Sequence, residues 1–303
     1  MKKMNYKFFG MALLALAFTA CEEGELGASG ETEAKLGQLY VDAESAASQL
    51  FKNADEALRK LDAGDPLPYT IDGATFNEDA GNPGNYILDY GTTGTNTRNK
   101  VIKGMIKFNA SGTNYLTAGT TVGLTYDNYS EDDLAVTGGL NLTNSSANGG
   151  TSFTMDIQNL TIIDDSETEN KELVLNGSKS LDWTAGSATT GDVSDDVYTI
   201  SDLPGGGGTT AGYNPDPTTN TYQHSLNVAF TAPLVIDNSC SYRLTQGIID
   251  LTLTSTDDPS PLTFTNATID FLTADGCDKF FSIKLVNTDN NSEISTTRQF
   301  TGF

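Results

Sequence analysis

The sequence predicts a mainly β protein: an N-terminal helix followed by a large antiparallel, sandwich-like sheet body, with two sheet domains as one possible division of it. Two observations point there. The 303 residues include 30 Gly among many Thr, Asn, Ser and Asp, so turns are available at short intervals, while 37% apolar residues suffice for a thin core. Apolar residues alternate with polar ones through most of the chain and follow a helical period in one stretch alone. The charge, 40 acids against 17 bases for a net −23, excludes a grip on nucleic-acid backbones, which depends on Lys and Arg displacing counterions.

Residues 1–20 carry Lys2, Lys3 and Lys7 ahead of an apolar run from Phe8 to Ala20. That run is too short to stay in a bilayer as a spanning helix, and reads as an export signal. Thr19 and Ala20 stand directly before Cys21, which resembles the lipobox of bacterial lipoproteins, although Phe18 occupies a position that is usually aliphatic there. The resemblance implies cleavage before Cys21 and acylation of its thiol, hence a membrane partnership through a lipid anchor. Loss of residues 1–20 removes three bases and no acid, leaving 14 against 40, a net −26. Residues 21–33 form an acidic tether in which Glu22, Glu23 and Glu25 resemble the surface-export signals of lipoproteins in Bacteroidetes-type bacteria. The implied location is the outer membrane, on the cell surface, with the periplasmic face as the alternative.

Over residues 34–62, Leu36, Tyr40, Ala43, Ala47, Leu50, Ala54, Leu58 and Leu61 recur every three or four positions, predicting an amphipathic helix that packs on a sheet, with a partner helix or coiled coil as the alternative. Asp62-Ala63-Gly64-Asp65-Pro66 ends it, because Pro cannot continue the hydrogen-bond ladder. From residue 69 to 201 strands are expected, clearest at Val101–Phe108, where Ile102, Gly104, Ile106 and Phe108 share one face. Residues 202–220, with Pro204, Gly205–Gly208, Pro215 and Pro217, read as a linker or long loop before a second β domain at 221–303.

The turn Asp89-Tyr90-Gly91, the strand end Tyr126-Asp127-Asn128-Tyr129, the Gly177-x-x-x-Leu181-x-Trp183-Thr184 strand and the turn Asp275-Gly276-Cys277-Asp278 resemble an uncharacterised group of β-rich outer-membrane lipoproteins of Bacteroidetes-type bacteria. That resemblance implies no activity.

Candidate sites are few. With Cys21 acylated, Cys240 and Cys277 are the remaining thiols in an oxidising compartment, and a disulfide between them is expected. The single His, His224, would have to serve any hydrolytic triad, but Ser225 beside it points to the opposite strand face and no Gly-x-Ser-x-Gly elbow occurs. Asp127, Glu131, Asp132 and Asp133 form a candidate weak calcium site, as do Asp164, Asp165 and Glu167, without the spacing of an EF-hand loop. No other cofactor is implied. Tyr126, Tyr129, Trp183, Tyr213 and Tyr222 are candidate platforms for stacking a sugar, the alternative being core rings. The expected function is a non-catalytic interaction or accessory role with an envelope protein or extracellular glycan as partner. A polysaccharide-binding surface module is the alternative, and a carboxylate-dependent hydrolase with an unnamed acid pair the third.

Overall fold

A computed structural model describes residues 30–98, 100–110, 114–146, 151–164, 171–204, 208–214, 223–240, 244–255, 262–271, 277 and 280–300. One helix, α1 (Glu31–Asp62), precedes β1 (Tyr69–Ile71), β2 (Ala74–Glu78), β3 (Tyr86–Thr97), β4 (Lys100–Asn109), β5 (Thr121–Glu131), β6 (Leu134–Asn144), β7 (Ser152–Asp164) and β8 (Lys171–Ala185). Then follow β9 (Val197–Asp202), β10 (Thr209–Asn214), β11 (His224–Asp237), β12 (Gln246–Ser255), β13 (Asn266–Asp270), β14 (Phe280–Asn287) and β15 (Ser292–Gln299). All 15 strands belong to one antiparallel sheet, and with one exception each pairs with its successor in the chain.

The exception lies where a linker is expected. β9 and β10 sit end to end between β8 and β11: Asp202 pairs with Lys179 and Thr210 with Asn176, while both short strands also pair with β11. Residues 202–220 therefore contain a strand, and the sheet passes from one expected domain into the other. β9 ends at Asp202 and the strand line resumes at Thr209, where Gly177 lets the backbone of β10 approach β8 closely. A Cβ on Gly177 would stand 2.8 Å from Thr209 Cα.

Strand alternation builds the core. On β7, Phe153, Met155, Ile157, Leu160 and Ile162 are buried while Thr154, Asp156, Gln158 and Thr161 face outward. The slip in this alternation is a β-bulge at Asn159 (φ 48°), whose carbonyl oxygen would lie 2.0 Å from a Cβ on Gly138. Among the described residues only Leu67, Val101 and Phe280 are large exposed apolar side chains, and no helix is long and apolar enough to cross a membrane.

The helix differs from the expected amphipathic element in one respect. It does not lie on a sheet with one face in water. It contacts β1, β6, β7, β8, β13 and β14, so the sheet curls round it, and its polar side is buried with its apolar side. Glu33, Glu44, Asn53, Asp55 and Arg59 are all at most 5% exposed. Each polar group reaches a different part of the surrounding sheet. Glu33 accepts from the backbone N–H groups of Thr263 (2.7 Å) and Phe264 (3.0 Å). Lys35 pairs with Asp164, and Asp62 accepts from the N–H groups of Asn114 (2.8 Å) and Tyr115 (2.6 Å). Reciprocally, Tyr126 and Tyr69 donate their hydroxyls to the carbonyls of Ala46 (2.9 Å) and Ala57 (2.6 Å). Such bonds contribute about 0.5–1.5 kcal/mol each, less than the roughly 1.5–3 kcal/mol of a fully buried Leu or Phe. Apolar burial thus supplies the stability, and the polar contacts fix where the helix sits.

Cys240, after β11, is disulfide-bonded to Cys277, between β13 and β14, with Cα atoms 5.4 Å apart.

Candidate functional site

The residues singled out as aromatic platforms are in the core. Tyr126, Tyr129, Trp183 and Tyr213 are at most 7% exposed, which corrects their expected role. Tyr126 and Tyr129 pack on each other with centroids 4.5 Å apart, and Tyr213 stacks on His224 at 5.7 Å. Strand parity explains this: Tyr126 follows Leu124, Trp183 follows Leu181 and Tyr213 follows Ala211 on inward-facing positions. His224 is buried too. Cys21, Tyr222, Asp165 and Glu167 lie outside the described residues.

The calcium cluster is likewise dispersed. Glu131 points inward to Lys100 (2.8 Å) and accepts from the Tyr129 hydroxyl (2.8 Å). Asp127 pairs outside with Lys107 (2.5 Å), Asp132 accepts from the Val101 N–H (2.8 Å), and Asp133 is exposed. Among the described residues no three His, Cys, Asp or Glu side chains gather to hold a metal.

Two buried charge networks, unforeseen in the sequence, join α1 to the middle of the sheet. In the first, the Arg59 guanidinium bridges Asp55 (2.6 Å) and Asp196. Asp196 also accepts from Trp183 Nε1 (3.0 Å), Asp55 from the Tyr198 hydroxyl (2.9 Å), and Arg59 stacks over the Trp183 ring at 4.6 Å. Burial raises the pKa of both Asp55 and Asp196, and Arg59 opposes that shift. In the second, Lys179, fully buried, pairs with fully buried Glu44, which accepts from the Tyr40 hydroxyl at 2.5 Å. Burial lowers the Lys179 pKa against the pull of Glu44, and raises that of Tyr40 with help from Glu44. These groups are enclosed by sheet and helix and serve packing.

A polar surface that opens to solvent lies beside the second half of α1. There the sheet leaves a cleft of about 280 Å³ floored by Lys52 and Glu56 of the helix. One wall comes from Asp72 and Arg98, the other from Val193, Ser194, Asn238 and Cys240. Asp72 and Gly73, at φ 47° and 79°, form the two-residue turn between β1 and β2, which requires positive φ at both positions. That turn presents the Asp72 carboxylate to Arg98, whose Nε lies 3.0 Å from both of its oxygens. A chain of hydrogen bonds then backs the wall: Gln49 donates to Asn53 (2.8 Å), Asn53 to the Tyr90 hydroxyl (3.0 Å), and Tyr90 to Asp72 (3.3 Å). Burial, reinforced by Asp72, pushes the Tyr90 pKa well up, so this hydroxyl remains a donor. On the far wall the Asn238 side-chain amide donates to the Val193 carbonyl at 2.9 Å.

Chemically the cleft is suited to holding a polar molecule. Its two carboxylates are engaged, Asp72 by Arg98 (2.8 Å) and Glu56 by Lys60 (2.9 Å). The Ser194 hydroxyl donates to Asp192 at 2.7 Å, and Cys240 is oxidised. Nothing in the sequence pattern announces this site, because its walls come from turns and loops separated by long stretches of chain.

Comparison with protein-family models, with curated proteins and with solved structures finds no match to this chain.

Proposed function

We propose that this chain is a lipid-anchored lipoprotein of the cell envelope, attached to the outer membrane through Cys21 and facing the cell surface, with a folded body that binds and does not catalyse. The anchor rests on the basic-apolar leader ending at Thr19-Ala20-Cys21. The observation that carries the binding role is the cleft beside α1, whose wall is pre-positioned by hydrogen bonds while both of its carboxylates are tied up in ion pairs. A glycosidase needs one carboxyl free to deliver a proton and a second facing it across the sugar, so Glu56 and Asp72 favour binding over hydrolysis. An accessory role towards another envelope component and a polysaccharide-binding role share this surface, and the cleft favours the second.

The test of the anchor is Cys21→Ser, followed by membrane fractionation. The variant is expected in the soluble fraction, since acyl chains contribute about 0.8 kcal/mol per buried methylene; retention on membranes refutes the anchor. Cross-linking intact cells with a membrane-impermeant reagent checks the surface location, and an unlabelled protein places it on the periplasmic side.

A further inference from the structure

We propose that the buried Lys179 and Glu44 side chains condense into an isopeptide bond, a covalent tie between β8 and α1. The inference stands apart from the cleft and from the lipid anchor, and rests on how three side chains are enclosed. Lys179 Nζ is in contact with Glu44 Oε1, and both side chains are 0% exposed. Among the described residues Glu44 is the one hydrogen-bond acceptor for this ammonium, whose other near neighbour is the Phe230 ring at 5.4 Å. Glu44 accepts from the Tyr40 hydroxyl at Oε1 (2.5 Å), while its Oε2 is buried with no hydrogen-bond partner. The third side chain is Asp202, directly opposite Lys179 in the pairing of β8 with β9, and its Oδ1 is likewise buried without a partner.

The reaction balances with these groups alone. Nζ attacks Glu44 Cδ, so that the Cδ–Nζ bond forms and the Cδ–Oε2 bond breaks. Of the three ammonium protons, one stays on the amide nitrogen and two leave with Oε2 as water. Burial lowers the Lys179 pKa, which frees the lone pair for attack, and raises that of Tyr40, whose hydroxyl therefore stays a donor to Oε1 as charge develops there. Asp202 carries a proton from the nitrogen to the departing oxygen. In water an ammonium and a carboxylate are favoured over the amide because both are hydrated. Here neither is, and a neutral amide replaces two desolvated charges. Holding the groups in contact also replaces collision, which is equivalent to concentrations of about 10⁵–10⁸ M in well-oriented reactions. The other buried Lys–Glu pair shows what is particular to this one. Glu131 has both oxygens engaged, by Lys100 (2.8 Å) and by the Tyr129 hydroxyl (2.8 Å), and the Arg98 charge acts on it as well. That carboxylate is held as an ion, and the pair remains a salt bridge.

The experiment is tryptic mass mapping of the full-length protein after reduction. Trypsin cuts after a free Lys179 and gives residues 36–52, 172–179 and 180–243 as separate peptides. The isopeptide bond blocks that cut, so residues 36–52 are expected joined to 172–243, one water lighter than the sum, with fragment ions placing the branch at Glu44 and Lys179. Cleavage after Lys179 with every peptide at its full mass overturns the assignment. So does the same joined peptide from chain synthesised and held in urea, since the bond is attributed to the enclosed site, or a cross-link between Lys100 and Glu131 in equal yield. Asp202→Asn tests the proton carrier. Sampled at intervals after cell-free synthesis, with Trp183 fluorescence reporting the native fold, this variant should form the joined peptide roughly 100-fold more slowly, and an unchanged rate overturns the role given to Asp202.

Discussion

Arg59→Met is the most informative perturbation of this fold. The guanidinium it removes is, among the described residues, the sole cation bonded to two carboxylates whose side chains are 1% and 0% exposed, Asp55 and Asp196. Breaking one buried ion pair by removing a partner costs about 3–5 kcal/mol, because the remaining charge stays buried. Loss of the stack over Trp183 adds about 0.5–2 kcal/mol, so a deficit of about 3.5–7 kcal/mol is expected at pH 7. Trp183, the only Trp, sits in the network and reports urea unfolding by its fluorescence. The triple change Asp55→Asn, Arg59→Met, Asp196→Asn keeps the shape and removes every charge, and should recover most of the loss. The sign of the pH dependence is also fixed. Burial raises both carboxyl pKa values in the folded state, and Arg59 opposes this, so the variant raises them further. The folded variant then holds protons that the unfolded chain releases above the ordinary carboxylate pKa near 4. Its stability is fullest below that value and falls as pH rises. The gap to the parent protein should therefore shrink on acidification from pH 7 towards 4. A gap that widens, a single variant within about 1 kcal/mol of the parent, or a triple variant no better than the single would refute the reasoning.

Other consequences can be checked with the same unfolding assay. Reducing the Cys240–Cys277 bond, which spans a separation of 37 residues, should destabilise by about 4 kcal/mol in the loop-entropy model, and unchanged unfolding under reductant would show the bond to be dispensable. Gly138→Ala forces a Cβ to 2.0 Å from the Asn159 carbonyl at φ +81°, and should cost about 2–4 kcal/mol. Gly191→Ala, which meets nothing within 4 Å, should stay within about 0.5 kcal/mol; equal effects at the two positions would remove the steric account.

Legibility in the sequence followed the range of the interactions. The period of α1 and the alternation on β4, where Ile102, Ile106 and Phe108 face inward, depend on neighbours a few residues apart and could be read directly. The enclosure of the helix could not. Glu44, Asn53, Asp55 and Arg59 resemble a solvated face because their partners Lys179, Tyr90, Tyr198 and Asp196 lie 37 to 143 positions away. The burial of Tyr126, Trp183 and Tyr213 was available from strand parity, yet an aromatic beside acidic turns suggests a platform when taken residue by residue. The Gly/Pro segment after Asp202 misled for a related reason. Composition marks where regular structure is interrupted, but does not show that a strand, β10, follows opposite β8.

The same long-range polar contacts explain how a 15-stranded meander can settle on one arrangement around a helix. Pairing sets every strand except β9 against its successor, in places through local turns such as Asp72-Gly73, but fixes neither the depth nor the rotation of α1 inside the curled sheet. An apolar surface rich in Ala discriminates weakly between positions one turn apart, since area burial is nearly the same in each. The charged and amide groups discriminate strongly. A slip of about 5.4 Å, one helical turn, would carry Glu33 from the Thr263 and Phe264 N–H groups, Glu44 from Lys179 and Arg59 from Asp196 at once. Each displaced group would be left buried without its partner, so the alternatives are penalised far more than the observed position is rewarded. The cleft depends on the same registration, because Gln49 and Asn53, which back its wall, share the helix with those anchors. Conversion of the Arg59 network to neutral side chains is therefore expected to restore stability while Glu33 and Glu44 continue to hold the helix, and with it the cleft, in place.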